Sequence, residues 1–137
     1  MKHFIKMSAV IFAVMLVVDG VWLSVMGPRF YKIYLKHLFA ESFNYMWALL
    51  FYMLYACLVN YFVVQPAMQY DQSVLHTFLQ GCFLGLVVYS AYDLTNQATL
   101  KNWPIIVTVV DMLWGSILTG STAALVHAIV QKYHIVL

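Results

Sequence analysis

Of the chain's 137 residues, 64% are hydrophobic and only 9% are charged, with a formal charge of +2; soluble globular proteins average about half apolar and about a quarter charged. A helix crossing a hydrocarbon layer of roughly 30 Å needs about 20 mostly apolar residues, and four such stretches take up almost the whole chain. This leaves no room in these residues for a separate soluble catalytic or nucleic-acid-binding domain. The seven Lys and Arg are scattered over termini and loops, with no basic run long enough to track a phosphate backbone. The expected fold is therefore an all-α integral membrane protein, a four-transmembrane-helix bundle forming a single membrane domain over 1–137.

In chain order, the first span is expected over about 7–27, ending at Gly27-Pro28, a pair that a helix does not readily continue through. Lys2 and Lys6 ahead of an apolar core resemble a signal peptide. However, the core is long, contains Asp19 and is followed by no clear small-x-small cleavage site, so the helix is expected to be retained. Residues 29–43 have helical periodicity. Phe30, Ile33, Tyr34, Leu35 and Leu38 can face lipid, with Arg29, Lys32 and Lys36 on another face. That segment reads either as a short interfacial amphipathic helix or as a solvated charged loop. The second span is expected over about 44–64, stopping before Gln65-Pro66. A short polar turn containing Asp71 leads to the third span, about 74–94. A connector over 95–102 precedes Trp103-Pro104, which opens the fourth span, about 104–130, with proline well placed near a helix start.

Trp47, Trp103, Tyr61 and Tyr133 lie near span ends, where amphipathic rings favour the interface. Gly81 and Gly85 form a G-x-x-x-G, and Gly20/Ser24 and Ser116/Gly120 are further small pairs that let helix backbones approach closely. They suit packing within the bundle and homodimerisation alike. Cys57 and Cys82 fall in apolar stretches without ligand spacing and read as packing residues. Lys and Arg divide three against four between the two sides, too small a difference to orient the bundle, with a slight lean toward cytoplasmic first and third loops.

Three of the five acidic residues, Asp19, Asp93 and Asp111, fall within or at the edge of a predicted span, without Lys or Arg beside them. A carboxylate at membrane depth costs several kcal/mol, about 2.5–3.5 on insertion scales, so it normally faces a polar interior. Asp19 precedes Gly27 by about 12 Å of helix rise and Asp111 follows Pro104 by about 10 Å, while Asp93 closes the third span. All three acids belong to the half of the bilayer bounded by the first and third loops. Tyr52 and Tyr55 of the second span share that half, as do Tyr89, Tyr92, Thr95 and Asn96 of the third. Asp93 with Tyr89 and Asn96 occupies one helical face. A polar cavity open to one side is one reading of this convergence. A fully hydrogen-bonded structural network is the other.

The first and fourth spans also echo each other. Asp19-Gly-Val-Trp22-Leu-Ser24 and Asp111-Met-Leu-Trp114-Gly-Ser116 share D-x-x-W followed two residues later by Ser, on helices of opposite direction, as in inverted-repeat transporters. Within each copy Asp and Trp lie one turn apart, so an indole N–H can help satisfy a carboxyl or wall the cavity. His127, toward the opposite face with Asn60, reads as hydrogen-bonded structure, having no second ligand at metal spacing. No nucleophile elbow, H-E-x-x-H or Gly-rich phosphate loop is present, and no metal or cofactor is expected.

The run Tyr89-Ser-Ala-Tyr92-Asp93-Leu94-Thr95-Asn96-Gln-Ala98-Thr99-Leu100, then Trp103-Pro104 and Asp111-Met-Leu-Trp114-Gly115, resembles the signature of a bacterial family of small four-span membrane proteins of unknown function. Asp19-Gly-Val-Trp22-Leu23 and Pro66 fit the same pattern, so the resemblance covers nearly the whole chain. It implies a multi-pass protein of the bacterial inner membrane. Relatives placed beside fatty-acid-modifying enzymes imply membrane lipids and lipid-metabolism enzymes as partners. The residues themselves leave three functions open. One is a binding or transport protein handling a proton, cation or polar or lipid ligand through Asp19, Asp93 and Asp111, with Trp22, Tyr55, Tyr89, Tyr92, Thr95, Asn96 and Trp114 around them. Another is a lipid-modifying enzyme or accessory with Asp as acid or base. The third is a structural partner with a buried Asp/Tyr/Asn network.

Overall fold

The computed structural model describes residues 2–133, and all regular secondary structure among them is helical. Four helices are long and apolar enough to cross a membrane: α1 (Lys2–Tyr34), α2 (Tyr45–Gln69), α3 (Val74–Thr99) and α4 (Ile105–Tyr133). The protein is a four-helix membrane bundle. Outward-facing Val17, Leu54, Phe83 and Ile117 are all about half exposed or more, as expected of side chains whose solvent is lipid. Asn44 and Ser73 start α2 and α3 by accepting hydrogen bonds from the backbone N–H groups of Met46 (3.1 Å) and His76 (3.2 Å), satisfying donors that a helix start leaves free. The chain reverses after α2 and after α3 at Asp71 and Asn102, both at positive φ, a conformation that these short polar side chains tolerate.

The two expected stops at Gly27-Pro28 and Gln65-Pro66 are corrected by the structure, because both helices run on. A wide turn spans Gly27–Tyr31, where Lys32 N–H reaches back to the Gly27 carbonyl; another spans Asn60–Val64, where Gln65 N–H reaches back to Asn60. Proline crowds the carbonyl four residues back and offers it no N–H. A turn closed five residues back widens the coil at that point and keeps the backbone paired where lipid offers no hydrogen bonds. The connector over 29–43 divides accordingly. Residues up to Tyr34 finish α1, and only a short turn, Lys36–Leu38, follows before α2. The third helix likewise overruns its expected end to Thr99. Thr95 and Thr99 return their hydroxyls to the carbonyls of Ala91 and Thr95, at 2.5 and 2.7 Å, so these polar residues stay helical without outside partners.

The most extensive helix contact is between α3 and α4, and α1 packs on both α2 and α4. Gly81 and Gly85 serve that first contact: a methyl on Gly81 would stand 2.8 Å from Gly120 Cα, and one on Gly85 would stand 2.6 Å from Thr119 Oγ1. The G-x-x-x-G face is thus occupied inside the chain. By contrast, among the described residues nothing comes within 4 Å of a methyl added at Gly20. α3 meets α2 chiefly around the wide turn Asn60–Val64. In the other half of the bilayer α2 follows α1, and α2 and α3 part company. The site lies in that half.

Candidate functional site

Asp19 on α1 is 4% exposed and accepts hydrogen bonds on both oxygens. Tyr52 Oη of α2 donates to Oδ2, and Trp114 Nε1 of α4 donates to Oδ1 at 2.6 Å. Asp111 on α4 is half-buried, and Tyr31 Oη donates to its Oδ1. Tyr31 in turn accepts from Trp22 Nε1 at 3.2 Å. The two indoles stack, centroids 4.1 Å apart and planes 6° from parallel. The echoed D-x-x-W segments therefore meet and cross. Each tryptophan serves the acid of the other copy, Trp114 directly and Trp22 through Tyr31. The indole that reaches a carboxyl directly, Trp114, reaches the one on the other helix and not the one a turn away on its own.

Around this crossing lies a cleft of about 480 Å³. Its polar floor is Asp19, Asp111, Tyr31 and Tyr52, walled by the tryptophan pair, while Leu35, Phe39 and Phe43 of the first connector stand beside it. Tyr89, Tyr92 and Asp111 also line a second hollow of about 320 Å³, which continues between Phe51 of α2 and Val88 of α3, where those helices diverge. Two further hollows, one at Phe62 and Phe83 and one at Val17 and Val25, hold no acid and read as furrows of the lipid-facing surface.

Of the ten residues singled out from sequence, six line the cleft: Asp19, Trp22, Tyr89, Tyr92, Asp111 and Trp114. Tyr55 points deeper into the bundle, 3% exposed, with its hydroxyl 2.6 Å from Thr119 Oγ1. Thr95 is exposed and bonded to its own helix, and Asn96 is half-buried outside the lining. Asp93 is fully buried, and among the described residues neither of its oxygens has a partner. It lies one turn along α3 from Tyr89, yet outside the cleft wall. Convergence thus holds for two acids, with the third standing apart. Among the described residues no three His, Cys, Asp or Glu come together to hold a metal ion.

Tyr31 has no place among the residues singled out, because a helix ending at Pro28 leaves it in a loop. In an unbroken α-helix, nine residues put Trp22 and Tyr31 about half a turn apart; the wide turn takes up one extra residue and rotates Tyr31 back by about 100°. Trp103, read as an interfacial ring, is instead 6% exposed and lines the cleft. Its Nε1 donates to Thr108 Oγ1 (3.0 Å), which donates to Gln97 Oε1 (3.1 Å) and ties the α3–α4 turn together. Trp47, Tyr61 and Tyr133 are each more than 60% exposed, as interfacial rings are. On the opposite side, His127 Nδ1 lies 2.7 Å from Thr77 Oγ1, and Asn60 Nδ2 donates to Ser8 Oγ at 2.9 Å and to the Phe4 carbonyl at 3.0 Å. Both residues join helices.

No curated protein and no solved structure matches the chain. Residues 4–128 match the family described as "Predicted membrane protein (DUF2177)", whose members have no assigned function. With that match running over most of its length, and with four helices suited to crossing a bilayer, the chain belongs to the DUF2177 family of membrane proteins.

Proposed function

We propose that the protein is a membrane-embedded binding or transport protein whose one-sided cleft takes up a proton, a cation or a polar ligand at membrane depth. The observation that supports this reading is the placing of Asp111 against both hollows with a donor on only one oxygen among the described residues. Asp111 follows the start of α4 by six residues, about 9 Å of rise. A carboxylate so placed faces a polar space because lipid would not tolerate it. An incoming cation displaces the proton on Asp111, and Tyr31 holds the first oxygen in place during the exchange. Asp93, buried on α3 and without a partner among the described residues, is a second place at which a proton can be held. The setting that the sequence resemblance implies is the bacterial inner membrane.

The test is flux into liposomes carrying the purified protein, driven by proton, Na⁺ or ammonium gradients and read with an internal pH dye. Wild type should show saturable flux that falls at least tenfold in Asp111→Asn. A second reading, a purely structural network, has its own support in Asp19, whose two oxygens are both already satisfied by Tyr52 and Trp114. It wins if Asp19→Asn, Asp93→Asn and Asp111→Asn alter thermal stability alone and leave flux and ligand binding unchanged.

A further inference from the structure

The donors that reach the two acids are already used. Trp114 Nε1 and Tyr52 Oη point at Asp19, Tyr31 Oη points at Asp111 and Trp22 Nε1 points at Tyr31. What the floor still offers is an acceptor, the second oxygen of Asp111, in a cleft walled by the stacked indoles. Among the described residues both acids are served only by uncharged donors. A ligand that completes this site has to bring N–H groups and positive charge, and aromatic faces beside a carboxylate favour a cation further. Among the described residues a neutral polyol finds no free indole and meets only the Tyr89 and Tyr92 hydroxyls as donors, which leaves the Asp111 oxygen without a positive partner, and an anion meets two carboxylates.

The second hollow adds the other half of the ligand. It shares Asp111, Tyr89 and Tyr92 with the cleft, and the rest of its lining is Phe51 and Val88. Phe51 is 43% exposed on the outer surface of the bundle, so the hollow reaches the surface that faces lipid. A charged head at Asp111 with an apolar tail leaving between α2 and α3 fits both hollows at once. Resting on the reading of the cleft as a binding site, we propose that its ligand is a bilayer-borne amphiphile with a primary ammonium head, the head on Asp111 and the tail between Phe51 and Val88. The tail passes from lipid to an equally apolar wall and gains little by the move. Selectivity therefore resides in the head.

The probe is hexadecylamine with a photoreactive diazirine on its tail, added to the full chain in nanodiscs of uncharged lipid and mapped after irradiation. Saturable labelling of the segments holding Phe51 and Val88 is expected. Excess unlabelled hexadecylamine should displace it and hexadecanol should not, and Asp111→Asn should lower it at least tenfold. Val88→Phe, which narrows the hollow, should weaken labelling; the head-group competition on the unchanged protein stands whether or not that variant folds. If the label spreads over lipid-facing residues of all four helices, or if hexadecanol competes as well as the amine, the amphiphile proposal is overturned. Asp111-dependent binding of ethylammonium in the same nanodiscs would then leave the cation cleft standing. If ethylammonium also binds equally to wild type and Asp111→Asn, both fall together.

Discussion

Replacing Trp114 by Phe keeps an aromatic ring against Trp22 and deletes the N–H that Asp19 Oδ1 receives at 2.6 Å. Asp19 is 4% exposed, so water does not replace the lost donor. An unpaired buried polar group costs about 1–3 kcal/mol, while hydrogen bonds between helices in membranes average about 0.6 and reach about 1.7 kcal/mol. The short distance and the burial put this bond near the upper end, about 1–2 kcal/mol. Ring truncation adds its own cost, so a double-mutant cycle with Asp19→Leu is needed to isolate the bond. The measurement is reversible unfolding in mixed micelles of mild and denaturing detergent, followed by circular dichroism. The expected coupling between Trp114→Phe and Asp19→Leu is about 1–2 kcal/mol, and that between Trp22→Phe and Asp19→Leu is below about 0.5 kcal/mol. The reverse order would mean that each tryptophan serves the aspartate one turn away on its own helix, and the crossed arrangement would be refuted.

Three further outcomes follow from the same geometry. Asp93→Asn removes an acid that has no partner among the described residues, so stability should hold or rise by up to about 1 kcal/mol, whereas Asp19→Asn should cost about 1–3 kcal/mol; a loss above about 1 kcal/mol in Asp93→Asn in the same unfolding assay would contradict this. Gly81→Ala and Gly85→Ala press a methyl into the backbone or Thr119 of α4 and should lose about 1–3 kcal/mol, while Gly20→Ala, facing open space, should gain about 0.5–1 kcal/mol from better helix propensity. Pro28→Ala lets the wide turn close, which carries Tyr31 off Asp111 and should weaken Asp111-dependent cation binding at least threefold with helix content unchanged; unaltered binding would mean that proline does not hold that turn open.

Much of this arrangement was legible because membrane insertion makes sequence coarse and severe. Four apolar stretches gave four helices. Asp19 and Asp111, placed in one half of the bilayer by counting residues from Gly27 and Pro104, do share a cleft. Glycine spacing on α3 matched a close approach. What escaped was phase. Periodicity assumes one angular step per residue, and at Pro28 the chain departs from it by one residue. That departure decides whether Tyr31 faces Asp111 or the other side of α1. Helix ends escaped for a related reason: hydropathy falls at Thr95, but threonine hydroxyls bonded to their own carbonyls let α3 continue to Thr99.

The partnering of the acids was hidden by a different fact, that it belongs to pairs of helices and not to either one. Sequence places Trp22 one turn from Asp19 and Trp114 one turn from Asp111, and nothing local prefers exchange. Once α1 and α4 pack antiparallel, the two indoles stack; Trp114 N–H then donates across to Asp19, while Trp22 N–H stays on α1 at Tyr31, whose hydroxyl crosses to Asp111. Asp19 ends fully paired because α2 adds Tyr52 beside it. Asp111 lies where α2 and α3 diverge, and it keeps an oxygen without a donor among the described residues. Two copies of one short motif thereby acquire different surroundings through a single asymmetry of packing: Asp19 fastens three helices together, and Asp111 keeps one oxygen free of donors among the described residues where the two hollows meet.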